Sequence, residues 1–178
     1  MDPSAIIDTY ICAKDCNRPW LMPAAFAADA VLKMDVNTEA ITFPASTRGI
    51  ADMTDILVRS FARDYENVYT VCLADPPAPD AVSFNCRWLV AMSDKKSRHV
   101  RVGCGQYDWV FGMGENVLAT QLTITIDHMQ VLNPAHLDTV MSWISALPYP
   151  WCSPEQAVRR VPQLTELEEI ARYIALNE

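Results

Sequence analysis

The chain has 178 residues, 51% of them hydrophobic and 20% charged, which is the composition of one globular domain with a substantial core. Its formal net charge of −8 argues against nucleic acid and anionic membranes as partners. No apolar stretch approaches the ~20 residues that a membrane helix needs, and the first four residues lack the features of a signal peptide, so we expect a cytoplasmic protein.

The N-terminal segment predicts a helix with an inward tyrosine. Asp2 and Pro3 are typical of a helix start. Ile6, Ile7, Tyr10 and Ile11 follow at helical spacing and form one buried stripe. The Tyr10 hydroxyl therefore needs a hydrogen-bond partner in the interior.

The cysteines favour free thiols in a reducing compartment. Cys12 and Cys16 stand on adjacent turns of the first helix, without a second pair or a nearby histidine to complete a metal site. The cysteines at 72, 86 and 104 lie in strand-like runs and are typical of small core residues. We therefore predict no metal and no cofactor.

The next segment predicts short elements. A second helix is expected over residues 20–28, a strand over 30–36 and a short strand over 41–43. Ser46 or Thr47 is expected to cap the following helix. From Val68 onward the pattern changes to strands, over 68–73, 84–92, 98–111 and 117–132, with turns that include 112–116.

The strand over 98–111 carries one acid, Asp108, on the same face as Val100, Val102 and Cys104. An ionised carboxylate among apolar groups costs several kcal/mol unless it is paired. Asp108 is therefore either a pocket acid, an acid paired with an arginine such as Arg87 or Arg101, or an acid turned to solvent by a bulge at 103–105. The aromatic residues of the opposite face, which suit a dimer interface, are Tyr107, Trp109 and Phe111.

The last strand changes parity near His128. Its apolar residues stand at even positions up to Ile126 and then switch to Met129 and Val131, as a β-bulge would produce. His128 faces a pocket if it continues the parity of Ile124 and Ile126, and faces outward if the bulge precedes it.

Helices follow the strands to the C-terminus. The order of helices, antiparallel strands and helices predicts an α+β domain whose curved sheet wraps around the N-terminal helices. We assign residues 1–132 to this core and residues 133–178 to a helical extension packed on the same domain.

Several features together resemble the nuclear transport factor 2-like superfamily, which includes SnoaL-like polyketide cyclases, ketosteroid isomerase and scytalone dehydratase. They are the first helix with Tyr10, the segment 26–31 running into a strand, Arg48-Gly49-Ile50 opening a helix, and the long strands up to residue 132. The resemblance implies a cone-shaped half-barrel of the cystatin-like kind, an apolar pocket and a homodimer formed through the sheet.

The resemblance also implies candidate site residues. Tyr10 falls at the place of the ketosteroid isomerase tyrosine, and Asp108 falls near its strand acid. Asp35 lies one residue from the place of the general base, Glu39 is the fallback, and His128 is the alternative base. The residues expected to line the pocket are Trp20, Phe26, Trp88 and Cys104, although tryptophans also serve as core or dimer contacts.

Two hypotheses of function follow. The first is a cofactor-independent lyase, isomerase or cyclase that acts on a hydrophobic carbonyl compound, with a general base and with Tyr10 and neutral Asp108 stabilising an oxyanion. The second is a non-catalytic module that binds a small apolar molecule or a protein. Convergence of Tyr10, Asp108 and an acid or His128 on one cavity favours the enzyme, and divergence of these side chains favours the binding module.

Overall fold

The computed structural model describes residues 1–114 and 117–175. It contains one open six-stranded sheet that packs around the N-terminal helix. The strands are β1 (Phe26–Val36), β2 (Ser46–Arg48), β3 (Tyr65–Cys72), β4 (Ser83–Asp94), β5 (Val100–Phe111) and β6 (Ala119–Leu132). Their order is β2-β1-β6-β5-β4-β3. The predicted turn at 112–116 includes residues 115 and 116, which lie outside the described residues.

The N-terminal helices fill the concave side of the sheet. Helix α1 (Pro3–Asp15) begins as predicted, since the Asp2 side chain accepts a hydrogen bond from the Ala5 amide at 2.8 Å. A 3₁₀ turn (Pro19–Leu21) and the short helix α2 (Met22–Ala25) lead into β1. A second helical segment consists of α3 (Ile50–Thr54), a π-helical turn (Asp55–Ser60) and α4 (Phe61–Asp64).

Three local predictions are wrong, all near the edge strand β2. The predicted helix over 20–28 ends at Ala25, because the chain is already paired with β6 at Phe26. Residues 41–43 form a loop, and Ser46 and Thr47 pair with β1 instead of capping a helix. The run of strands is also not wholly antiparallel, since β1 and β6 pair in parallel. The early end of the helix and the parallel pair arise from the pairing of β1 with the distant strand β6, whereas Ser46 and Thr47 pair with the neighbouring strand β1.

The predicted bulge in β6 is confirmed. Cys104 pairs with His128 and Gly105 pairs with Ile126, so Asp127 is the extra residue. The bulge brings the strands so close that a Cβ atom on Gly105 would lie 1.9 Å from the Thr125 carbonyl oxygen. Glycine at 105 is therefore required by this contact.

The C-terminal helices cover part of the outer face of the sheet. They are α5 (Leu137–Ile144), α6 (Pro154–Arg159) and α7 (Glu168–Ala175), with 3₁₀ turns at Pro134–His136 and Thr165–Leu167. Side chains such as Val140, Trp143 and Ile170 pack on Val102 and Cys104 and form a second apolar core outside the sheet. A homodimer through the sheet remains a prediction, and it has to use the part of this face that the helices leave uncovered.

Membrane-spanning helices are absent from the described part of the chain, because none of its helices combines the necessary length and apolar character.

Candidate ligand cavity

A cavity of about 50 Å³ lies between α1, the helical segment 50–64 and the inner face of the sheet. Strand alternation explains its apolar walls, because every second side chain of a strand points to the same face. The apolar side chains that line it include Met34, Leu57, Val90, Met92, Ile124, Ile126 and Met129. Met129 joins this wall because the bulge at Asp127 reverses the parity of β6.

Two buried donors in the cavity wall have no hydrogen-bond partner among the described residues. They are the hydroxyl of Tyr10 and the indole Nε1 of Trp88. Burial raises the pKa of Tyr10, and the nearby Tyr107 hydroxyl opposes this rise as a hydrogen-bond donor would, which leaves the Tyr10 O–H itself free to donate. A buried polar group without a partner costs about 1–3 kcal/mol. Water or a ligand that carries an acceptor would remove this cost.

A buried ion pair closes one side of the cavity. Lys14 lines the cavity, and its Nζ donates to Asp15 Oδ1 at 2.5 Å and to Thr70 Oγ1 at 2.7 Å. Asp15 also accepts from the Thr70 amide at 2.7 Å and from the Tyr149 hydroxyl at 3.1 Å. The side chains of Lys14 and Asp15 are only 8% and 2% exposed. Asp15 therefore balances the charge of Lys14 and fixes its position.

The tyrosines of the cavity are neutral donors. Burial raises the pKa of Tyr10 and Tyr107 well above the ordinary value of a phenol. Their rings pack edge to face, with centroids 6.2 Å apart. Both hydroxyls therefore keep their protons in the folded protein throughout the neutral pH range.

This burial predicts a loss of stability at alkaline pH. The Tyr10 hydroxyl has a pKa near 10 in the unfolded chain and a raised pKa in the folded chain, so its contribution is complete below pH ~10 and is lost as the pH rises. One such group lowers the free energy of unfolding by about 1.4 kcal/mol per pH unit. Urea denaturation between pH 9 and 11 should show that the free energy of unfolding falls less steeply with pH in Tyr10→Phe than in the wild type. Equal slopes would contradict the expected burial of this phenol.

Asp108 lies on the outer face of the sheet, which corrects the predicted inner placement. Its half-buried carboxylate accepts a hydrogen bond from Gln106 Nε2 at 3.1 Å. The β4–β5 pairing runs without a break from Ser83 to Ser93, so the glycines at 103 and 105 produce no bulge in β5. Tyr107, Trp109 and Phe111 consequently point inward and pack in the core, not at an outer dimer interface.

The three candidate bases also lie away from the cavity. Asp35 and Glu39 are exposed, and the inward residue of this part of β1 is Met34. His128 follows the bulge and turns outward, where its Nδ1 lies 3.4 Å from Glu169 Oε1 and its ring packs on Tyr173. Tyr10 is therefore the only one of the four proposed catalytic residues that lines the cavity.

The four proposed pocket residues have different positions. Trp88 lines the cavity as predicted. Phe26 is buried beside Tyr10, with ring centroids 5.6 Å apart, but does not line the cavity. Trp20 is 75% exposed, and Cys104 is buried on the outer face under the C-terminal helices. The predictions for Phe26, Trp20 and Cys104 are therefore wrong, because apolar character alone does not indicate whether a side chain lies in the cavity, elsewhere in the core or at the surface.

Lys14 is the main cavity residue that sequence reasoning missed. It lies four residues after Tyr10 on α1, and residues at this spacing share one face of a helix. The spacing of Tyr10 and Lys14 could therefore have predicted that Lys14 also faces the cavity. Thr70, its partner on β3, had no comparable signal because it lies 56 residues further along the chain.

Comparison with known proteins identifies the fold. No protein-family model matches the sequence, and no curated protein matches it. A nuclear transport factor 2-like superfamily protein from Salmonella enterica is 12% identical with a TM-score of 0.57, over 70% of this chain and 88% of that chain. A ketosteroid isomerase-like protein from Erwinia carotovora is 11% identical with a TM-score of 0.52, over 71% and 94%. A hexachlorocyclohexane dehydrochlorinase from Novosphingobium barchaimii is 11% identical with a TM-score of 0.51, over 71% and 85%. These likenesses confirm the predicted resemblance and the α+β class at the level of the fold.

Proposed function

We propose that this chain, which has the nuclear transport factor 2-like fold, binds a small, mostly apolar molecule that carries a neutral hydrogen-bond acceptor such as a carbonyl group. The observation that carries the proposal is the cavity itself, in which apolar walls surround two donors without partners, on Tyr10 and Trp88. Such a combination of apolar walls and a few polar groups is typical of small-molecule sites.

The free polar groups of the cavity favour an acceptor over a donor in the ligand. A phenol donates or accepts, but an indole N–H only donates. An ammonium group carries three N–H donors, and Lys14 uses two of them for Asp15 and Thr70. An acceptor oxygen in the cavity would satisfy these groups without competing with a hydrogen bond already made.

The charge balance of the cavity favours a neutral ligand. The positive charge of Lys14 is already compensated by Asp15, which receives hydrogen bonds from Lys14, Thr70 and Tyr149. A carboxylate ligand would add a second, unpaired negative charge inside apolar walls, and such a transfer costs several kcal/mol.

The size of the cavity favours a compact ligand. At about 50 Å³ the cavity is smaller than the roughly 300–1,000 Å³ of usual ligand pockets. Binding therefore requires that the flexible methionines of its wall, Met34, Met92 and Met129, change rotamer to enlarge it. Methionine-lined surfaces adapt to more than one ligand shape, so we expect the cavity to accept related molecules with moderate affinity.

The geometry favours binding over the acid–base enzyme. Among the described residues that line the cavity there is no carboxylate and no imidazole to act as a general base. The lyase, isomerase or cyclase hypothesis required Asp108 and a base beside Tyr10, and these side chains diverge. We therefore prefer the non-catalytic binding hypothesis.

A matched series of probes tests the proposal by titration calorimetry. Acetophenone is expected to bind more tightly than ethylbenzene, which lacks the acceptor, and more tightly than benzoate, which carries a charge. Tyr10→Phe should weaken acetophenone binding about tenfold, the value of one buried hydrogen bond, and should leave ethylbenzene binding unchanged.

Asp108→Asn serves as the control variant, because Asp108 lies on the outer face and its replacement should leave the binding of all three probes unchanged. Equal affinity for the three probes, or no binding of any, would contradict the proposed ligand class.

A further inference from the structure

The loop of residues 37–45, between β1 and β2, supplies Ile41 and Phe43 to the wall of the cavity. An outer groove of about 300 Å³ is lined by the same loop, at residues 41–44, and by residues of the helical segment 50–64. Ile41, Phe43 and Phe61 line both the cavity and the groove. A movement of these three side chains therefore joins the cavity to the outside.

Few hydrogen bonds hold this loop in place, and its apolar anchors are Ile41, which is 8% exposed, and the partly buried Ala40 and Phe43. None of its residues from 37 to 44 belongs to a helix or strand. Its two ends are tied to the sheet, where the Asn37 amide donates to the Ile126 carbonyl at 2.9 Å and the Met34 amide donates to the Ala45 carbonyl at 2.9 Å. Between these ends, Arg101 Nη1 donates to the Ala40 carbonyl at 2.6 Å. This hydrogen bond ties the backbone in the middle of the loop to β5.

Arg101 is well placed to hold and release the loop. It stands on the inner face of β5, and its side chain is 16% exposed. The guanidinium lies 5.5 Å from the centre of the Tyr65 ring, and its Nη2 lies 3.8 Å from Asp94 Oδ2. These contacts keep the charge in place when the loop moves away. Its buried Nε has no partner among the described residues.

We infer that loop 37–45 is the entrance of the cavity and that Arg101 is a positioning residue which keeps this entrance closed. The inference rests on the proposed function, because it assumes that a ligand enters the cavity. In this inference the loop closes over the cavity in the free and in the ligand-bound protein alike. Arg101 therefore controls how often the entrance opens, and it contributes little to the affinity itself.

Exchange rates measured by ¹⁹F NMR with 4′-fluoroacetophenone test the inference. Arg101→Met keeps the apolar stem of the side chain and removes the bond to the Ala40 carbonyl. It should raise the association and dissociation rates of the probe together, by about tenfold, and change Kd by less than threefold. Phe43→Ala shortens a side chain that lines both the cavity and the groove, and it should likewise raise both rates.

Arg59→Met is the matched control. Arg59 is 58% exposed and pairs with Asp55 on the helical segment 50–64, away from the Ala40 carbonyl. This variant should leave both rates unchanged. Wild-type rates in Arg101→Met, or a rise of the dissociation rate alone, would overturn the inference.

Hydrogen exchange of the free protein separates this inference from the proposed function. The amides of residues 37–45 should exchange at least fivefold faster in Arg101→Met than in Arg59→Met, without any probe. If the probe does not bind the wild type, the proposed function fails, and the role of Arg101 is judged by these amides alone. Equal exchange in the two variants would overturn the role of Arg101.

Discussion

Asp15→Asn is expected to lower the free energy of unfolding by about 3–5 kcal/mol, the usual effect of removing one partner of a buried ion pair. The carboxylate is 2% exposed and compensates the charge of Lys14, which is itself 8% exposed. An asparagine keeps the shape of the side chain but leaves the ammonium group without a counter-ion in a nearly dry site. Urea denaturation with a fluorescence readout measures the difference.

Two further variants show whether this effect comes from the buried charge. Asp55→Asn removes the acid of an exposed pair with Arg59 and should cost less than about 1 kcal/mol. The double variant Lys14→Met with Asp15→Asn removes both charges and should be more stable than Asp15→Asn alone. A double variant that is less stable than Asp15→Asn would contradict the proposed charge balance of the cavity.

Removal of the C-terminal extension is expected to have the second large effect. A chain that ends at Leu132 should not form a soluble, folded protein, because it exposes the apolar outer face of the sheet, including Val71, Leu89, Val102 and Cys104. Exposed apolar surface of this kind promotes aggregation. Solubility on expression and the far-ultraviolet circular dichroism of the recovered protein measure the outcome.

The appropriate control is a chain that ends at Ala175, which keeps α7. This chain should be as soluble and as stable as the full protein. A chain of residues 1–132 that is soluble, monomeric and cooperative in unfolding would show that the extension is a separate accessory to the core.

The extension also contacts the helix that carries the cavity residues. The Tyr149 hydroxyl donates to Asp15, and Trp151 Nε1 donates to Asp8 Oδ1 at 2.8 Å. The Cys72 amide on β3 donates to the Pro150 carbonyl. The segment of residues 145–153 between α5 and α6 thus links α1 to β3 beside the ion pair of Lys14 and Asp15. We infer that the extension stabilises the cavity as well as the outer face of the sheet.

Local patterns in the sequence were sufficient for much of the fold. Asp2 and Pro3 determine the start of α1, and the apolar stripe through Tyr10 determines the face that is buried. Alternation predicts the four long strands β3 to β6, and the change of parity near His128 predicts the bulge. These features depend on neighbours within a few residues, which is why the sequence alone determined them.

Only the tertiary structure decided which face of β5 points inward and which polar groups meet at the cavity. A period of two separates the faces of a strand, but it does not identify the inner one when both are covered. Here the C-terminal helices bury Val102 and Cys104 from outside, so the outer face resembles a core, and Asp108 on that face became a candidate pocket acid. The contact of Lys14 with Thr70, 56 residues apart, likewise exists only because β3 packs against the end of α1.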